Sequence, residues 1–594
     1  MPRPGVDVVI TDAAAVGGTP LDTGRGFQVG LAERGPTTSP IELRSLRAWE
    51  RACGPRIGGP VAHDSVRAFF VNGGSVLTFL RLAGENAHAA EGEVGPLRVS
   101  ASSPGAWGNS LTVSLEADGG LLGRALAARA TASAPTPKPK RGRAGAPFAM
   151  TPVAGVDGQG RAYVGEPVTV TVTDTGADGA PVDLDQIDKV DWGDGREDDS
   201  PENLTHTYTS AVGEITVTAT LGGATAQTAF TVAERGTGGG GGFVRVVVRR
   251  DGDPVERSSL VDTAAGALAW AEAFSALVVL DADDLEASLG PIDEVDLTGG
   301  TEDRNISPGV VGDTLDYFDA GFGPGQVAYP GATDPAVHFA ILAHCERMRR
   351  CALLDLDDTD ELTIAADVSG LYPHSGARFA AALAPRLKFA GPAPSTTILL
   401  PYSAAQMGVI ARRDRATGNP NEPAAGEVAY IVGARGLARE FSTDTREELN
   451  ELGVTLARVS GRPSVTRTYG SRTCAGPDEP NWKWFGGSRV VMAITHESDA
   501  GAEQFVHRQI DPQRRIFVAL NSVLTAICER YFALGALYGE TAEEAYQVDT
   551  SDAVNTDDTI AAGEIHGLIR LATSPPGEWV LIEIAKQTTS LVAA

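Results

Sequence analysis

Hydrophobic positions change their spacing several times along the chain, and each spacing predicts a kind of element. Apolar residues alternate over 27–31, which is typical of a strand. Helical spacing follows around Trp49 and over 61–70, and a second strand is predicted at 76–82 after a Gly-rich turn. Strands and helices alternate again between 264 and 475, so the pattern predicts an α/β layer structure.

Two later segments have strong helical periodicity. Residues 334–350 predict a helix that runs into a strand at 351–356, with one apolar face formed by Val337, Ile341, Leu342 and Cys345. A long helix is predicted after Pro512, and its apolar stripe has spacings of three and four residues: Ile516, Leu520, Val523, Leu524, Ile527, Tyr531 and Leu534. A strand is predicted at 579–584, followed by a loose tail.

A segment of different character is bracketed by two linkers. The first linker, 131–146, is rich in Pro, Ala and basic residues, and the second, 235–242, is nearly all glycine. Between them, four strands spaced by turn residues predict a small β-sandwich at 168–172, 187–192, 214–221 and 226–232. The segments 111–115 and 243–248 flank the insert and are predicted to pair, which places the insert in a hairpin loop.

The first 24 residues predict an extended arm. Val6, Val8 and Ile10 follow strand periodicity, but no pairing strand follows nearby in the sequence. A single strand of this kind needs a partner from elsewhere.

Composition limits the classes of function. A chain of 594 residues predicts three or more domains, and 77 acidic against 49 basic residues give a net charge of -28, which disfavours a nucleic-acid partner. The basic run at 138–143 is interpreted as solvated linker. Five cysteines without paired spacing indicate neither a disulfide framework nor a zinc site, and no signal peptide or membrane span is recognised, so we expect synthesis in a reducing cytoplasm.

Candidate chemistry is weak throughout. The acidic run at 355–361 suggests calcium, but an EF-hand loop that begins at Asp355 requires Gly and Glu where Asp360 and Ala366 stand. We therefore interpret the run as a solvated loop. Phosphate-loop and nucleophile-elbow motifs are missing from the sequence, so we predict no enzyme activity, no metal and no cofactor.

Several ordered motifs resemble the contractile tail sheath family of phages and injection systems. The start PGVDV at 4–8 is similar to the family's opening, and four further matches follow in order: FQVGLAERGP at 27–36, VRAFFVNGG at 66–74, SPGAWGN at 103–109 and GPGQV at 323–327. Near the C-terminus, Gly470-Ser-Arg-Thr473 falls where the family has GART, and NTDD at 555–558 fits another family segment.

The insert resembles a PKD-type immunoglobulin-like module. VDWGDG at 190–195 and LTHTY at 204–208 are similar to its two signatures, which contain Trp192, Gly193, Asp194, Gly195, His206 and Tyr208. The resemblance implies a spacer or a weak binder, either of host surface polysaccharide or of nothing beyond added bulk.

Together, the resemblances imply an α+β multidomain chain. It would comprise an α/β, subtilisin-like but non-catalytic core, a C-terminal α+β assembly domain and an inserted all-β sandwich. The expected divisions are an arm (1–24), an N-terminal domain (25–130), a linker (131–146), the insert (147–234), a Gly-rich linker (235–242), a middle domain (243–485), an assembly domain (486–577) and a C-terminal strand and arm (578–594).

The implied function is structural. A sheath subunit would polymerise in stacked hexameric rings around an inner tail tube, between baseplate and terminator proteins, and contract to drive the tube through a host envelope. Val6, Val8 and Ile10 of one subunit and Val580, Ile582 and Ile584 of another are expected to complete a sheet on a third. The sheath of a bacterial injection or secretion device is one alternative, and a PKD-bearing surface adhesin or secreted hydrolase is another.

Overall fold

The structure is a computed structural model that describes residues 22–117, 148–154, 156, 161–163, 167–174, 180–182, 186–199, 203–209, 213–221, 224–233, 243–393, 395–461 and 464–584. Val6, Val8 and Ile10, the basic run and both linkers lie outside the described residues. The described chain is a mixed α+β fold, as the sequence predicted, and it divides into two units. Of the described residues, the first unit contains those in 22–88, 103–105 and 301–584, whereas the second contains those in 89–102 and 106–300.

The described residues form twelve α-helices: α1 Leu46–Cys53, α2 Ala62–Val71, α3 Ala264–Phe274, α4 Pro308–Asp316, α5 Pro335–Met348, α6 Glu361–Leu371, α7 Tyr402–Thr417, α8 Thr443–Glu451, α9 Phe485–Ala502, α10 Arg515–Ala533, α11 Ala542–Ala545 and α12 Asp557–Ala561.

Before the insert, the first unit and the body of the second unit contain six strands: β1 Gly26–Gly30, β2 Ile41–Leu43, β3 Leu77–Arg81, β4 Glu91–Val94, β5 Leu97–Ala101 and β6 Leu111–Ala117. Those of the insert are β7 Phe148–Ala154, β8 Arg161–Tyr163, β9 Pro167–Asp174, β10 Ala180–Pro181, β11 Lys189–Asp191, β12 Glu197–Asp199, β13 Thr205–Thr207, β14 Gly213–Leu221 and β15 Ala224–Ala233. After the insert come β16 Val244–Arg250, β17 Asp253–Arg257, β18 Val278–Asp281, β19 Ile292–Asp296, β20 Gln326–Ala328, β21 Cys351–Asp355, β22 Ala380–Ala384, β23 Leu387–Ala390, β24 Thr397–Leu400, β25 Ala434–Leu437, β26 Val454–Ser460, β27 Val465–Tyr469, β28 Tyr546–Asp549 and β29 Leu568–Leu571.

An eight-stranded sheet forms the centre of the first unit, in the order β2-β3-β1-β20-β21-β22-β26-β27. The six strands from β3 to β26 run parallel, and β2 and β27 join the two ends antiparallel. Parallel strands of this kind need both faces covered. Cys351 and Leu353 of β21 face a cluster with α1, α2 and α7, whereas Ala352 and Leu354 face a cluster with α4, α5 and α6.

The predicted helix at 334–350 is α5, and it shows why the periodicity was informative. Asp334 caps its first turn by accepting a hydrogen bond from the Ala336 amide (2.9 Å), and Pro335 occupies the first helical position. All four residues of the predicted apolar face are buried. The strand predicted to follow is β21, so this helix and strand are confirmed.

The C-terminal part of the first unit is built around α9 and α10. The predicted long helix is confirmed as α10, and Ile516, Leu520, Leu524, Ile527 and Tyr531 are buried. Leu534 was predicted in the same stripe, but it lies just past the helix end and is 40 % exposed. The antiparallel pair β28–β29 packs beside α10 through Val548 and Ile569.

The body of the second unit consists of a four-stranded sheet, β17-β16-β6-β19, a three-stranded sheet, β18-β5-β4, and α3 around one core. Strand β6 pairs antiparallel with β16 from Leu111 opposite Arg250 to Ala117 opposite Val244. These are the two segments that the sequence predicted to pair across the insert, so the hairpin is confirmed.

The insert has two sheets around a single core. One contains β7, β9, β10 and β13, and the other has the order β12-β11-β14-β15-β8. The four predicted strands correspond to β9, β11, β14 and β15. The prediction missed five strands. Four of them are only two or three residues long, and the fifth, β7, contains a proline, which strands usually exclude.

The two units divide the chain at different positions from the predicted domains. Residues 25–88, predicted to belong with 89–130, contribute β1, β2 and β3 to the sheet that 326–469 complete. Likewise, 243–300 pair with β5 and β6 and not with the predicted middle domain. Composition shifts locate linkers, but they carry no information on which distant strands pair.

Candidate assembly site

The C-terminal part of the first unit contains a sheet of only two strands. Tyr546, Val548, Ile569 and Leu571 share its inner face, because cross-strand partners point to the same side. Within the described residues no further strand pairs with β28 or β29. A two-stranded ribbon is marginal without more strands or a packing surface, so this sheet depends on its packing against α10.

After β29 the chain is fixed by backbone hydrogen bonds. Thr573 forms an antiparallel bridge with Leu537, and the Ser574 amide donates to the Ala536 carbonyl (3.0 Å). The side-chain amide of Asn421 donates to the Ser574 carbonyl (2.8 Å). These contacts give the C-terminal segment a defined starting point.

The last polar anchor of the described chain is Glu578. Its carboxylate accepts two hydrogen bonds from Arg472, Nε to Oε1 (3.0 Å) and Nη2 to Oε2 (2.7 Å), and a third from the Asn450 side-chain amide (2.7 Å). Burial of Glu578 raises its pKa, but the hydrogen bonds from Arg472 and Asn450 outweigh burial and leave the pKa below its ordinary value. The carboxylate is therefore held ionised and oriented.

Beyond Glu578 the side chains leave the protein surface. The next residues include five large apolar side chains that are 72–90 % exposed: Trp579, Val580, Leu581, Ile582 and Ile584. The sequence predicted a strand here, but within the described residues the segment pairs with no strand. A strand needs a hydrogen-bonded neighbour, and the part of the chain that the structure describes offers none at this position. We call residues 579–584 the C-terminal arm.

A groove of about 550 Å³ lies beside the root of the arm. Arg446, Arg458, Tyr469 and Trp484 form part of its walls, and Glu578 and Trp579 also line it. The Arg458 guanidinium stacks over the Tyr469 ring. This groove is aromatic and cationic, and it borders the only arm that the described residues contain.

The predicted motif residues of the insert come together. Trp192 and Tyr208 are fully buried, the Trp192 Nε1 donates to Asp198 (2.7 Å), and the Tyr208 hydroxyl donates to the Trp192 carbonyl (3.0 Å). His206 stacks on the Trp192 ring and contacts the Asp194 carboxylate (2.9 Å).

Gly193 and Gly195 both have positive φ, +78° and +90°, as the turn between these residues requires. The cluster holds the core and the turn of the sandwich.

The interpretation of the acidic run 355–361 as a solvated loop is wrong. Asp355 is buried and accepts hydrogen bonds from the Ser403 amide (2.9 Å), the Ser403 hydroxyl (2.5 Å) and the Gly331 amide (3.0 Å). Asp358 is also buried and pairs with Arg386, while Asp360 caps α6. Asp355 and Asp358 thus hold distant segments at the end of β21.

Other candidate sites among the described residues are few. Ser403, the second residue of α7, donates its hydroxyl to Asp355. Burial lowers the pKa of His338, whose Nε2 contacts the Ala332 carbonyl (2.9 Å). No group of metal-ligating side chains occurs in the described part of the chain. All five cysteines are buried free thiols.

One described helix, α10, is long and apolar enough to cross a membrane by length and composition. Buried helices in protein cores have the same length and composition, and the apolar stripe of α10 packs against α9 and β28.

Comparison with solved structures places this geometry in a known fold. The chain is 12% identical to the sheath tail protein of Listeria innocua, with 93% of this chain and 95% of that one covered and a TM-score of 0.50. This chain has the fold of a tail sheath protein. The sheath tail protein of Desulfitobacterium hafniense (12% identity, 89% and 90% covered, TM-score 0.47) and the contracted helical sheath of the anti-feeding prophage (19%, 48% and 77%, 0.40) are also similar.

No protein-family model and no curated protein matches the sequence. The sheath fold therefore rests on structure, at an identity where sequence comparison carries little signal. Sequence reasoning located the arm of this sheath fold but missed its anchor, because Arg472 and Glu578 lie 106 residues apart and each resembles an ordinary surface charge in the sequence.

Proposed function

We propose that this chain is the structural subunit of a contractile tail sheath and not an enzyme. The observation that carries the proposal is an apolar arm, exposed in the single chain, in a protein with the sheath fold. A soluble surface rarely presents so many adjacent large apolar side chains unless they bind another surface.

The binding mode that suits this arm is strand addition. Val580, Ile582 and Ile584 alternate with Leu581 and Glu583, so a strand formed here has two distinct faces. The two-stranded sheet β28–β29 of a neighbouring subunit is the acceptor that we propose. Val6, Val8 and Ile10 of another subunit would supply the fourth strand, and backbone hydrogen bonds would join three copies.

Contraction of a polymer joined in this way would need no ATP. Subunits in stacked hexameric rings make heterologous contacts that repeat along a helix. Bodies can rotate while the donated strands stay paired, so a strained extended form relaxes to one with larger interfaces. The inner tail tube, baseplate and terminator proteins are the proposed partners, and the tail of a particle assembled in the host cytoplasm is the proposed location.

The finer fold assignments belong to the same proposal. A parallel sheet with helices on both faces supports a subtilisin-like, non-catalytic core. Two packed sheets with the Trp192–His206–Tyr208 cluster support a PKD-type immunoglobulin-like insert. We propose that the insert decorates the outside of the sheath, where it either binds host polysaccharide or adds bulk.

A bacterial injection or secretion device is the second candidate setting. The contracted sheath of the PVC extracellular contractile injection system is among the similar structures (21% identity, 45% and 71% covered, TM-score 0.36). The same strand donation would serve in either setting. Nothing in the fold or the comparisons favours the adhesin alternative.

Electron microscopy of the purified full chain tests the proposal. Hollow six-fold helical tubes that form without ATP are expected, and a chain that ends at Glu578 should stay in small species because it lacks the arm. Discrete monomers or small closed oligomers of the full chain, at concentrations where sheaths assemble, would contradict the sheath function.

A further inference from the structure

We propose that the turn Gly470-Ser471-Arg472-Thr473 is a socket for the root of the C-terminal arm, with Arg472 and Asn450 as positioning residues that grip Glu578. The proposal rests on the sheath function, since it assigns to this turn the task of aiming the arm at a neighbouring subunit. The sequence analysis singled out this turn only by resemblance, and its role follows from contacts in the structure.

The turn itself is held from both sides. Gly470 has φ +113°, and a Cβ there would lie 3.2 Å from the Thr455 Cα, so a side chain at this position is disfavoured. The Thr473 amide donates to the Lys483 carbonyl (3.0 Å), and the Phe485 amide donates to the Ser471 carbonyl (2.9 Å). The backbone that carries Arg472 is therefore fixed by contacts that do not involve the arm.

Arg472 projects from this turn into a partly closed site. Its side chain is 10 % exposed, its guanidinium lies 5.9 Å from the Trp484 ring centroid, and Glu578 is the one carboxylate that pairs with it among the described residues. A guanidinium fork matches a carboxylate in two hydrogen bonds and so fixes direction as well as distance. Without Glu578, a largely buried charge would be left unpaired, which proteins avoid.

The anchor lies where the arm changes from fixed to free. The Glu578 side chain is 18 % exposed, whereas Trp579, the next residue, is 72 % exposed. Pro575 and Pro576 precede the anchor, and proline rings restrict the backbone between Ser574 and Glu578. The direction in which residue 579 leaves the surface is therefore set by the grip on Glu578.

A distance measurement on the unassembled chain tests the socket. All five native cysteines are buried, so Glu448→Cys on α8 and Gly577→Cys, one residue before the anchor, provide two exposed sites for spin labels. We expect a narrow distance distribution, which Glu578→Gln should widen about twofold because the freed residues regain backbone entropy. The matched control is Glu479→Gln, which removes the carboxylate from the similarly two-pronged Arg378–Glu479 pair and leaves the Arg472–Glu578 pair intact.

An assembly measurement completes the test. If the arm must be aimed, Glu578→Gln should raise the protein concentration needed for tube formation about tenfold, since one or two more residues must be ordered on binding. Glu479→Gln should form tubes near the parent concentration. Thermal unfolding of both variants shows whether a change in assembly comes from lost stability, since Glu578→Gln leaves the Arg472 charge without its carboxylate. Tube formation by Glu578→Gln at the parent concentration, with an unchanged distance distribution, would overturn the socket.

The proposed socket and the proposed sheath function can be contradicted independently of each other. If the parent chain forms no tubes, the sheath function is wrong, while the distance distribution still decides whether Arg472 and Asn450 hold the arm root. If tubes form and the distribution widens but the assembly concentration does not move, the socket holds the root without aiming the arm, and the positioning role is overturned.

Discussion

The eight-stranded sheet and the two-stranded sheet lie in the same unit, but they differ in how their faces and edges are covered. The large sheet has helices on both faces, and at its β27 edge the Thr468 amide donates to the Ala429 carbonyl and the Ile431 amide to the Thr466 carbonyl. The small sheet has one packed face, and an apolar arm follows it in the sequence. All eight strands of the large sheet come from the described residues of one chain, whereas the function that we propose has the small sheet and the arm gain further contacts from other chains. Stability and assembly should therefore respond to different residues.

The largest loss of stability is expected in the large sheet. Leu354 of β21 is 1 % exposed, so Leu354→Ala should lower the free energy of unfolding by about 3 kcal/mol through lost burial and a new cavity. Leu362→Ala on α6 is the matched control, because Leu362 is 83 % exposed. Denaturant unfolding followed by circular dichroism measures both. Equal losses in the two variants would contradict the assignment of β21 to the core.

Acid should weaken the same region through His344. Burial, helped by Arg350 and Arg347, lowers the pKa of His344 to about 3. In the unfolded chain, His344 binds a proton as the pH falls below the ordinary histidine pKa. In the folded chain, His344 stays neutral until the pH approaches about 3. The free energy of unfolding should thus drop by about 2 kcal/mol between about pH 7 and about pH 5.

The substitution His344→Gln tests this cause. It retains a hydrogen-bond acceptor for Arg350 but removes the titrating group, so the drop in stability on acidification should shrink. Denaturant midpoints recorded across that range for both proteins give the comparison, and two parallel pH profiles would exclude His344 as the source.

A smaller effect is expected in the insert, which contributes to neither sheet. Asp198→Ala removes the acceptor of the Trp192 indole N–H and should destabilise the sandwich by about 1 kcal/mol. Glu214→Ala, at an exposed position of β14, serves as the control. Hydrogen exchange at β11 and β14 should accelerate only in the first variant. Faster exchange in β21 as well would mean that the insert and the large sheet unfold together.

The smallest effect on stability, and the largest on assembly, is expected in the arm. Replacing Val580, Ile582 and Ile584 together by serine should change the free energy of unfolding by less than about 0.5 kcal/mol, because these side chains are exposed. Tube formation should be lost. Leu581→Ser alters the other face of the same strand and should reduce assembly less. Loss of monomer stability in the triple variant would show that the arm folds back on its own chain.

The same contrast explains what the sequence revealed. In strands such as β21 and helices such as α5, the local spacing of apolar residues indicates which side chains are buried. These elements were therefore predicted with nearly correct bounds. The pairing of β6 with β16 was predicted because the insert between them differs in composition. In contrast, the order of strands in the large sheet depends on contacts between residues hundreds of positions apart, which no local pattern contains.

The candidate site was predicted in part. Val580, Ile582 and Ile584 were recognised as an alternating apolar segment, and their role in strand exchange remains a prediction. The acidic run was misread because the partners of Asp355 and Asp358 are Ser403 and Arg386, which lie on later segments. For the same reason Arg472 and Asn450 gave no local signal of their contact with Glu578.

The pairing of Ala117 with Val244 has a practical consequence. The chain leaves β6 and returns in β16 at adjacent positions, so the two ends of the intervening 126 residues meet at one ladder. A folded domain whose own termini lie close together can replace such a segment without disturbing the strands. The hairpin is thus a suitable insertion site. An enzyme, an epitope or a fluorescent protein inserted between residues 117 and 244 would be displayed once per subunit in any assembly of this chain.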